Sequence, residues 1–545
     1  MRQHPEPLWR EQLELAQVPN GYWPDVYVLG LHAARITFAD QQKRAFNLVS
    51  ALCASGRLRP KDTLGIVGAG IAGITAAAFA AQLGITATVL DQYSEPMMLQ
   101  QGSNRWIHPN LYDWPWLNWR STSTRFPCMN WIADTAGEII SRLRREWRQL
   151  VVTDAVRWHG ATRIVSLLRH GEEWFAVDES GHKYGPWKSV ILAVGFGEEE
   201  DHLGLDHKPY WHDDDLHQRA RNGGKVLVSG CGDGGLIDAI RCLLLDFKHE
   251  NIARIATMAD TDEIGNRLTQ VEADRPRYPD GAKLTDAYLQ VESPEVDKAL
   301  SELTRSNLVV TLNSRDDAPL TRASSPLNRF IVARLMRLGR ILHVSGNIDV
   351  ASIARSGATV TVPVNGSPQS FNHVVVRHGP KNPAINVLPE IKSSLVMAKQ
   401  FFALYPYVVD RTRQPLWQSI LPPPKQPQST APVASSAPPD VRTVEFIAER
   451  AQADLKGNLL HLLPAVLVRR EVVGDMINLA VEANNCILGH VSLRVNSDSA
   501  VLIAVVSSEG KKIHTETIGP HAGPTHANEV ARVLRTASFL LGGKG

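Results

Sequence analysis

Residues 63–91, TLGIVGAGIAGITAAAFAAQLGITATVLD, decide how the rest of the chain is read. A short apolar run, 64–67, is of the kind that forms a buried parallel strand. Gly68, Gly70 and Gly73 follow in GxGxxG spacing, with Ala69, Ile71 and Ala72 between them, and an alanine-rich helix-forming run leads to Gly84. A second β-rich run, 86–90, ends on Asp91. The first glycine permits a tight strand-to-helix turn, and the second lets the backbone approach a pyrophosphate. The third lets the helix lie close on the sheet, so that its N-terminus faces the phosphates. Asp91 is placed to accept hydrogen bonds from a ribose hydroxyl. Strand, glycines, helix, strand and acid fall in order, which predicts a dinucleotide-binding βαβ unit rather than an α/β crossover with a glycine turn and no ligand.

A second unit begins at Lys225: KVLVSGCGDGGLIDAIRCLLLDF. Gly230, Gly232 and Gly235 repeat the spacing, Asp233 stands among them, and a helix is expected to run to about Phe247. The run 252–258 is expected to supply the next strand, with Asp260 as the first acid past it and Asp262 and Glu263 competing for the role. Two rival readings stand beside nucleotide binding: the glycine loop of S-adenosylmethionine-dependent methyltransferases, and a degenerate repeat without a ligand. An apolar strand ending at Gly195 and Gly197 closes the first unit after a β-hairpin region with turns at His170-Gly171 and Ser180-Gly181. The second unit goes on through a strand at 308–312, a helix at 328–338, a hairpin at 350–362 and an apolar strand ending at Gly379. The shared order of elements predicts an internal repeat of architecture.

The segment RWIHPNLYDWPWLNW, 105–119, holds four of the 13 tryptophans: Trp106, Trp114, Trp116 and Trp119. It is either a buried aromatic cluster pinning a long loop to the core or a lining for a flat ring, with Arg105 or His108 reaching a phosphate or the ring's edge. The buried cluster is the expected reading, although position supports the second, since loops at the C-terminal ends of strands line the ligand crevice in open α/β sheets. An amphipathic helix is predicted over 136–150. Residues up to about 60 form a lead-in, with a strand at 26–31 and Thr37 capping a helix through 41–52.

Residues 420–441, ILPPPKQPQSTAPVASSAPPDV, read as an extended linker. Beyond it, helices are expected at 443–455 and 527–541 and strands at 486–495 and 500–506, an α+β module. His514, His521 and His526 lack partners at metal-ligand spacing. The expected organisation is therefore a lead-in (1–60), two Rossmann-like units with inserted hairpins (61–200 and 201–419), a linker (420–442) and a small α+β domain (443–545).

Length and composition agree with this. A chain of 545 residues has room for two or three cores, and 43% hydrophobic with 21% charged residues is ordinary for a globular protein. The net charge of +2, with no dense basic face, gives no reason to expect nucleic acid. Cys53, Cys128, Cys231, Cys242 and Cys486 form no CxxC pair and no zinc pattern, which argues against a dithiol redox centre and fits a reducing cytoplasm. The polar N-terminus lacks an apolar signal core, and neither a signal peptide nor a membrane span is expected.

Taken together, the first glycine unit, the AVGFG strand end and the second glycine unit resemble the two-dinucleotide-binding flavoproteins over residues 60 to 400 or so. The resemblance implies FAD on Gly68, Gly70, Gly73 and Asp91, a junction at Gly195, and a nicotinamide nucleotide on Gly230, Gly232 and Gly235. It implies an oxidoreductase of the monooxygenase or oxidase kind, with NAD(P)H as hydride donor and a small-molecule substrate. The chain departs from the pattern in lacking the Gly-Asp element that commonly holds the ribityl chain. Asp260 leans the nicotinamide choice toward NAD, because an arginine there would favour a 2′-phosphate. The alternative is a dinucleotide-binding sensor or scaffold whose C-terminal domain recruits a protein partner.

Overall fold

The structure is a computed structural model. It describes residues 8–379, apart from 19–22, 30–36, 116–118, 196–198, 200–207, 213–215, 275, 280, 323 and 358, together with residue 416 and five strands between 467 and 518. The chain divides into two compact units, Met1–Pro422 and Pro423–Gly545.

The first unit holds two α/β halves. It opens with α1 (Leu8–Ala16), β1 (Val26–Val28) and α2 (Phe38–Ala54), whose N-cap Thr37 accepts from the Asp40 N–H. The sequence 63–91 then folds as expected into β2 (Thr63–Val67), α3 (Ile71–Gln82) and β3 (Thr86–Leu90). A two-residue ribbon, β4 (Trp106–Ile107) with β5 (Asp134–Thr135), precedes α4 (Ala136–Val152) and β6 (Val156–His159). An antiparallel excursion, β7 (Ile164–His170), β8 (Glu173–Asp178) and β9 (Lys183–Trp187), returns the chain to β10 (Ser189–Leu192). The parallel sheet has the order β1-β10-β2-β3-β6. Its central strands β2, β3 and β10 are buried almost throughout, as continuous apolar runs in a doubly covered sheet should be.

In the second half, α5 (Leu216–Arg221) leads to β11 (Gly224–Ser229) and α6 (Asp233–Leu243). The expected strand at 252–258 is instead helix α7 (His249–Met258), followed by α8 (Asp262–Ala273), α9 (Ala282–Leu289) and α10 (Pro294–Leu303). Ile252, Ile255 and Ala256 bury one face of α7 at the i, i+3, i+4 spacing of a helix. The second parallel strand is β12 (Leu308–Ser314), followed by α11 (Pro326–Arg337) and β13 (Ile341–Ser345). The hairpin region is β14 (Ala354–Ser356), β15 (Thr359–Val364) and β16 (Ser367–Phe371), and β17 (His373–Val376) closes the sheet in the order β13-β12-β11-β17. Counted within each half, strand four lies beside strand one, then two, then three. The halves thus share one topology, and α7 to α10 are an insertion in the second.

Buried ions tie that insertion down. Arg329 of α11 is fully buried and donates to Glu272 of α8 at 2.5 Å, and Arg334 pairs with Asp297 of α10. In the unit Pro423–Gly545 the described strands β18 (Leu467–Val473), β19 (Met476–Ala483), β20 (Cys486–Val495), β21 (Val501–Ser507) and β22 (Lys512–Ile518) make an antiparallel meander. The expected linker, the helices at 443–455 and 527–541, His521 and His526 lie outside the described residues, as do Trp116 and Gly197.

Candidate functional site: two glycine loops at the strand ends

The first loop is built as its spacing demands. Gly68 has φ +104°, and a Cβ there would collide with the Ala193 carbonyl at the end of β10. A Cβ on Gly73 would fall on the Gly68 carbonyl oxygen, so only glycine lets α3 start this close to the strand. Gly70 is the N-cap of α3, gives it no side-chain cap, and would point a Cβ into open space. The first turn of α3 thus begins without a side-chain cap at a glycine open on its Cβ side, an arrangement that fits a pyrophosphate. Asp91 follows β3 and turns back to the loop: Oδ2 accepts from the Ala69 N–H at 2.5 Å and Oδ1 from the Tyr93 N–H at 2.8 Å. Burial raises its pKa against the opposing pull of those two N–H groups. Gly195, φ +66° and open on its Cβ side, lies beyond the end of β10, the strand beside β2.

The second loop repeats this geometry. Gly230 has φ +114° and abuts the Arg377 carbonyl, Gly235 abuts the Gly230 carbonyl oxygen, and Gly232 caps α6 with open space at its Cβ. Asp233, the first residue of α6, turns toward α11, accepting from Ser325 N at 3.0 Å and from Asn328 Nδ2 at 2.5 Å. Asp260 is not at a strand end. It precedes α8, at whose N-cap Thr261 sits, and it pairs with Arg120 at 2.7 Å. The acid expected for a ribose is thus away from the second loop, because the helical insertion displaced the second strand to β12.

Arg105 is also corrected. It is buried and clamps Asp238 of α6 with two hydrogen bonds, 2.9 and 3.2 Å, lying 3.7 Å over the Tyr210 ring. Asp238 is fully buried and also accepts from Arg377 Nε and Arg241 Nη1, each at 2.7 Å. Arg377 reaches on to Glu199 at 3.1 Å. Burial alone would raise the Asp238 pKa, but the guanidinium groups of Arg105, Arg377 and Arg241 hold it well below the usual carboxylate range. Of the tryptophans in this segment, Trp114 is fully buried 5.2 Å from Phe330 of α11, and Trp119 is buried in the same core. His108 accepts from the Asn110 and Leu111 N–H groups, and burial lowers its pKa to about 3. No local pattern in the chain points to Asp238, Tyr210 or Arg377, which lie in separate segments and meet only in the fold.

No family model and no curated protein matches this sequence. Among solved structures, the chain is similar to thioredoxin reductase of Lactococcus lactis in its FR conformation, at 13% identity and TM-score 0.33, over 61% of this chain and 81% of that one. It is similar to the bacillithiol disulfide reductase Bdr of Staphylococcus aureus at 12% identity and TM-score 0.34, over 61% and 80%. The flavin-containing monooxygenase of Stenotrophomonas maltophilia stands at 14% and 0.32, over 62% and 82%. These are faint likenesses, and nothing about substrate follows from them. The fold class stands on the chain itself: two parallel α/β halves, each with a glycine loop between its first strand and first helix.

Proposed function

We propose that this protein is an FAD-dependent oxidoreductase that draws electrons from a reduced nicotinamide nucleotide and passes them to a small-molecule substrate or acceptor. The observation that carries the reading is the duplicated glycine loop, each with an uncapped helix N-terminus facing open space. In the first half, the backbone around Gly68, Ala69, Gly70, Ile71, Ala72 and Gly73 would hold the pyrophosphate. Asp91 keeps lone pairs for a ribose hydroxyl beyond the two N–H groups it already accepts, and Gly195 keeps the chain clear above β10. In the second half, Gly230, Gly232 and Gly235 would hold the nicotinamide nucleotide, while Asp233 steadies the loop against α11. Bound flavin supplies the redox chemistry; the protein supplies binding and orientation.

The cysteines favour flavin-only chemistry over a dithiol relay. Burial pushes the Cys53 thiol up to about 11 and Cys231 to about 12, far from a reactive thiolate. A sheet order shared with the first half favours a dinucleotide over S-adenosylmethionine at the Gly230 loop. The separate C-terminal sheet favours a second reading, a dinucleotide sensor that recruits a protein partner through Pro423–Gly545. The visible absorption spectrum of the purified protein tests both. Flavin bands that bleach with NADH or NADPH under argon support the enzyme. A protein that stays colourless after FAD is added overturns it, and stoichiometric nucleotide binding without oxidation supports the sensor.

A further inference from the structure

The position of Asp91 has a counterpart in the second half, and it is not an acid. Val67 pairs with Leu90 in the first sheet and Ser229 with Asn313 in the second. The Gly68 N–H donates to the Leu90 carbonyl at 2.8 Å, and the Gly230 N–H donates to the Asn313 carbonyl at 2.9 Å. With both loops in one register, the residue after Leu90, Asp91, matches the residue after Asn313, Ser314. Ser314 Oγ donates to the Asp316 carbonyl at 2.8 Å and lies 2.7 Å from His343 Nε2. The next residue, Arg315, is exposed and makes no hydrogen bond or ion pair among the described residues.

We infer that Ser314 and Arg315 make the second loop selective for a nicotinamide nucleotide bearing a 2′-phosphate, NADP(H), rather than NAD(H). The inference rests on the second loop's binding a nicotinamide nucleotide at all. A carboxylate at the strand end accepts the 2′-hydroxyl of NAD(H) and repels a phosphate there, whereas a serine removes the repulsion and an adjacent guanidinium attracts the dianion. The rival acids are Asp316 and Asp317, two and three residues further on, both exposed. Asp91 is bonded to its glycine loop through the Ala69 N–H, while the Asp316 side chain makes no hydrogen bond among the described residues.

The test is calorimetric titration of the full chain with NADPH, NADH and adenosine 2′,5′-bisphosphate, for the wild type, Arg315→Ala, Ser314→Asp and Asp316→Asn. NADPH should bind at least about tenfold more tightly than NADH, and Arg315→Ala should remove about that factor from NADPH and the bisphosphate while sparing NADH. Ser314→Asp should move the preference toward NADH. Arg315 is exposed, so its variant reports even if Ser314→Asp fails to fold. NADH bound as tightly as NADPH, or more tightly and weakened by Asp316→Asn, overturns the selectivity but leaves the nucleotide site standing. Binding of neither nucleotide overturns the reading of the loop itself, and this inference with it.

Discussion

The two glycine loops superpose in logic and differ in wiring. Both open on a glycine with φ above +100°, both seat a third glycine against the first one's carbonyl, and both leave the middle glycine facing space. Eight residues past the first glycine the helices part: α3 has Ala76, in an apolar core, and α6 has Asp238, fully buried among three arginines. The backbone therefore sets where a dinucleotide can lie, and the second turn of the helix sets what the half is fastened to. The first helix carries no charged side chain and is held by apolar packing and a hydrogen bond from Gln42 Nε2 to Thr75 Oγ1 at 3.3 Å. The second is also held by charge, and its partner Arg105 belongs to the first half.

That contrast breaks most visibly at Asp238. Asp238→Asn should cost about 3–5 kcal/mol in a urea melt, because it strands buried guanidinium groups, whereas Ala76→Ser at the matching site should cost far less. The pH dependence has a definite sign. With its folded pKa depressed, Asp238 adds stability that is present above the ordinary aspartate pKa of about 4 and lost as the pH falls below it. Asp238→Asn should flatten that acid limb.

Next in size come the tight glycines. Gly73→Ala and Gly235→Ala should each destabilise by about 1–3 kcal/mol, measured as a lowered melting midpoint, since each forces a methyl onto a backbone carbonyl. The middle glycines sharpen the comparison instead. Gly70→Val and Gly232→Val have room for the side chain and should fold, with each variant losing only its own nucleotide, by more than about tenfold in affinity. Loss of both nucleotides in either variant would contradict separate sites. The smallest effect is at the strand end: Asp91→Ala should weaken FAD binding by about 1–3 kcal/mol, as read by equilibrium dialysis.

The first half was legible in sequence because everything that defines it is local. Strand, glycines, helix, strand and Asp91 run without interruption, and the three residues between α3 and β3 leave no room for another element. The hairpin turns at Gly171 and Gly181, both with positive φ, were equally legible. The second half defeated the same reading between α6 and β12. The run 252–258 is short, and an apolar run of that length fits a strand or a helix until its partners are known. Taking it as a strand put Asp260 at a ribose, when the true second strand was the run at 308–312, placed later in the order. Arg105 misled for a different reason. It does face an anion, but the anion is a carboxylate on another element, and pairings of that kind depend on contacts 133 positions apart in the chain.

The clamp on Asp238 has a bearing on how such proteins can be taken apart and recombined. The sheet of the second half is built from Gly224 onward, yet one of the charges that completes this half sits in the loop after β3, among residues that look like property of the first. A boundary drawn along the chain would separate Asp238 from Arg105 and leave an ion cluster incomplete in a dry interior. The portable module is the second half together with the Arg105 loop, so a chimera that exchanges the nucleotide-binding half should carry that loop across with it.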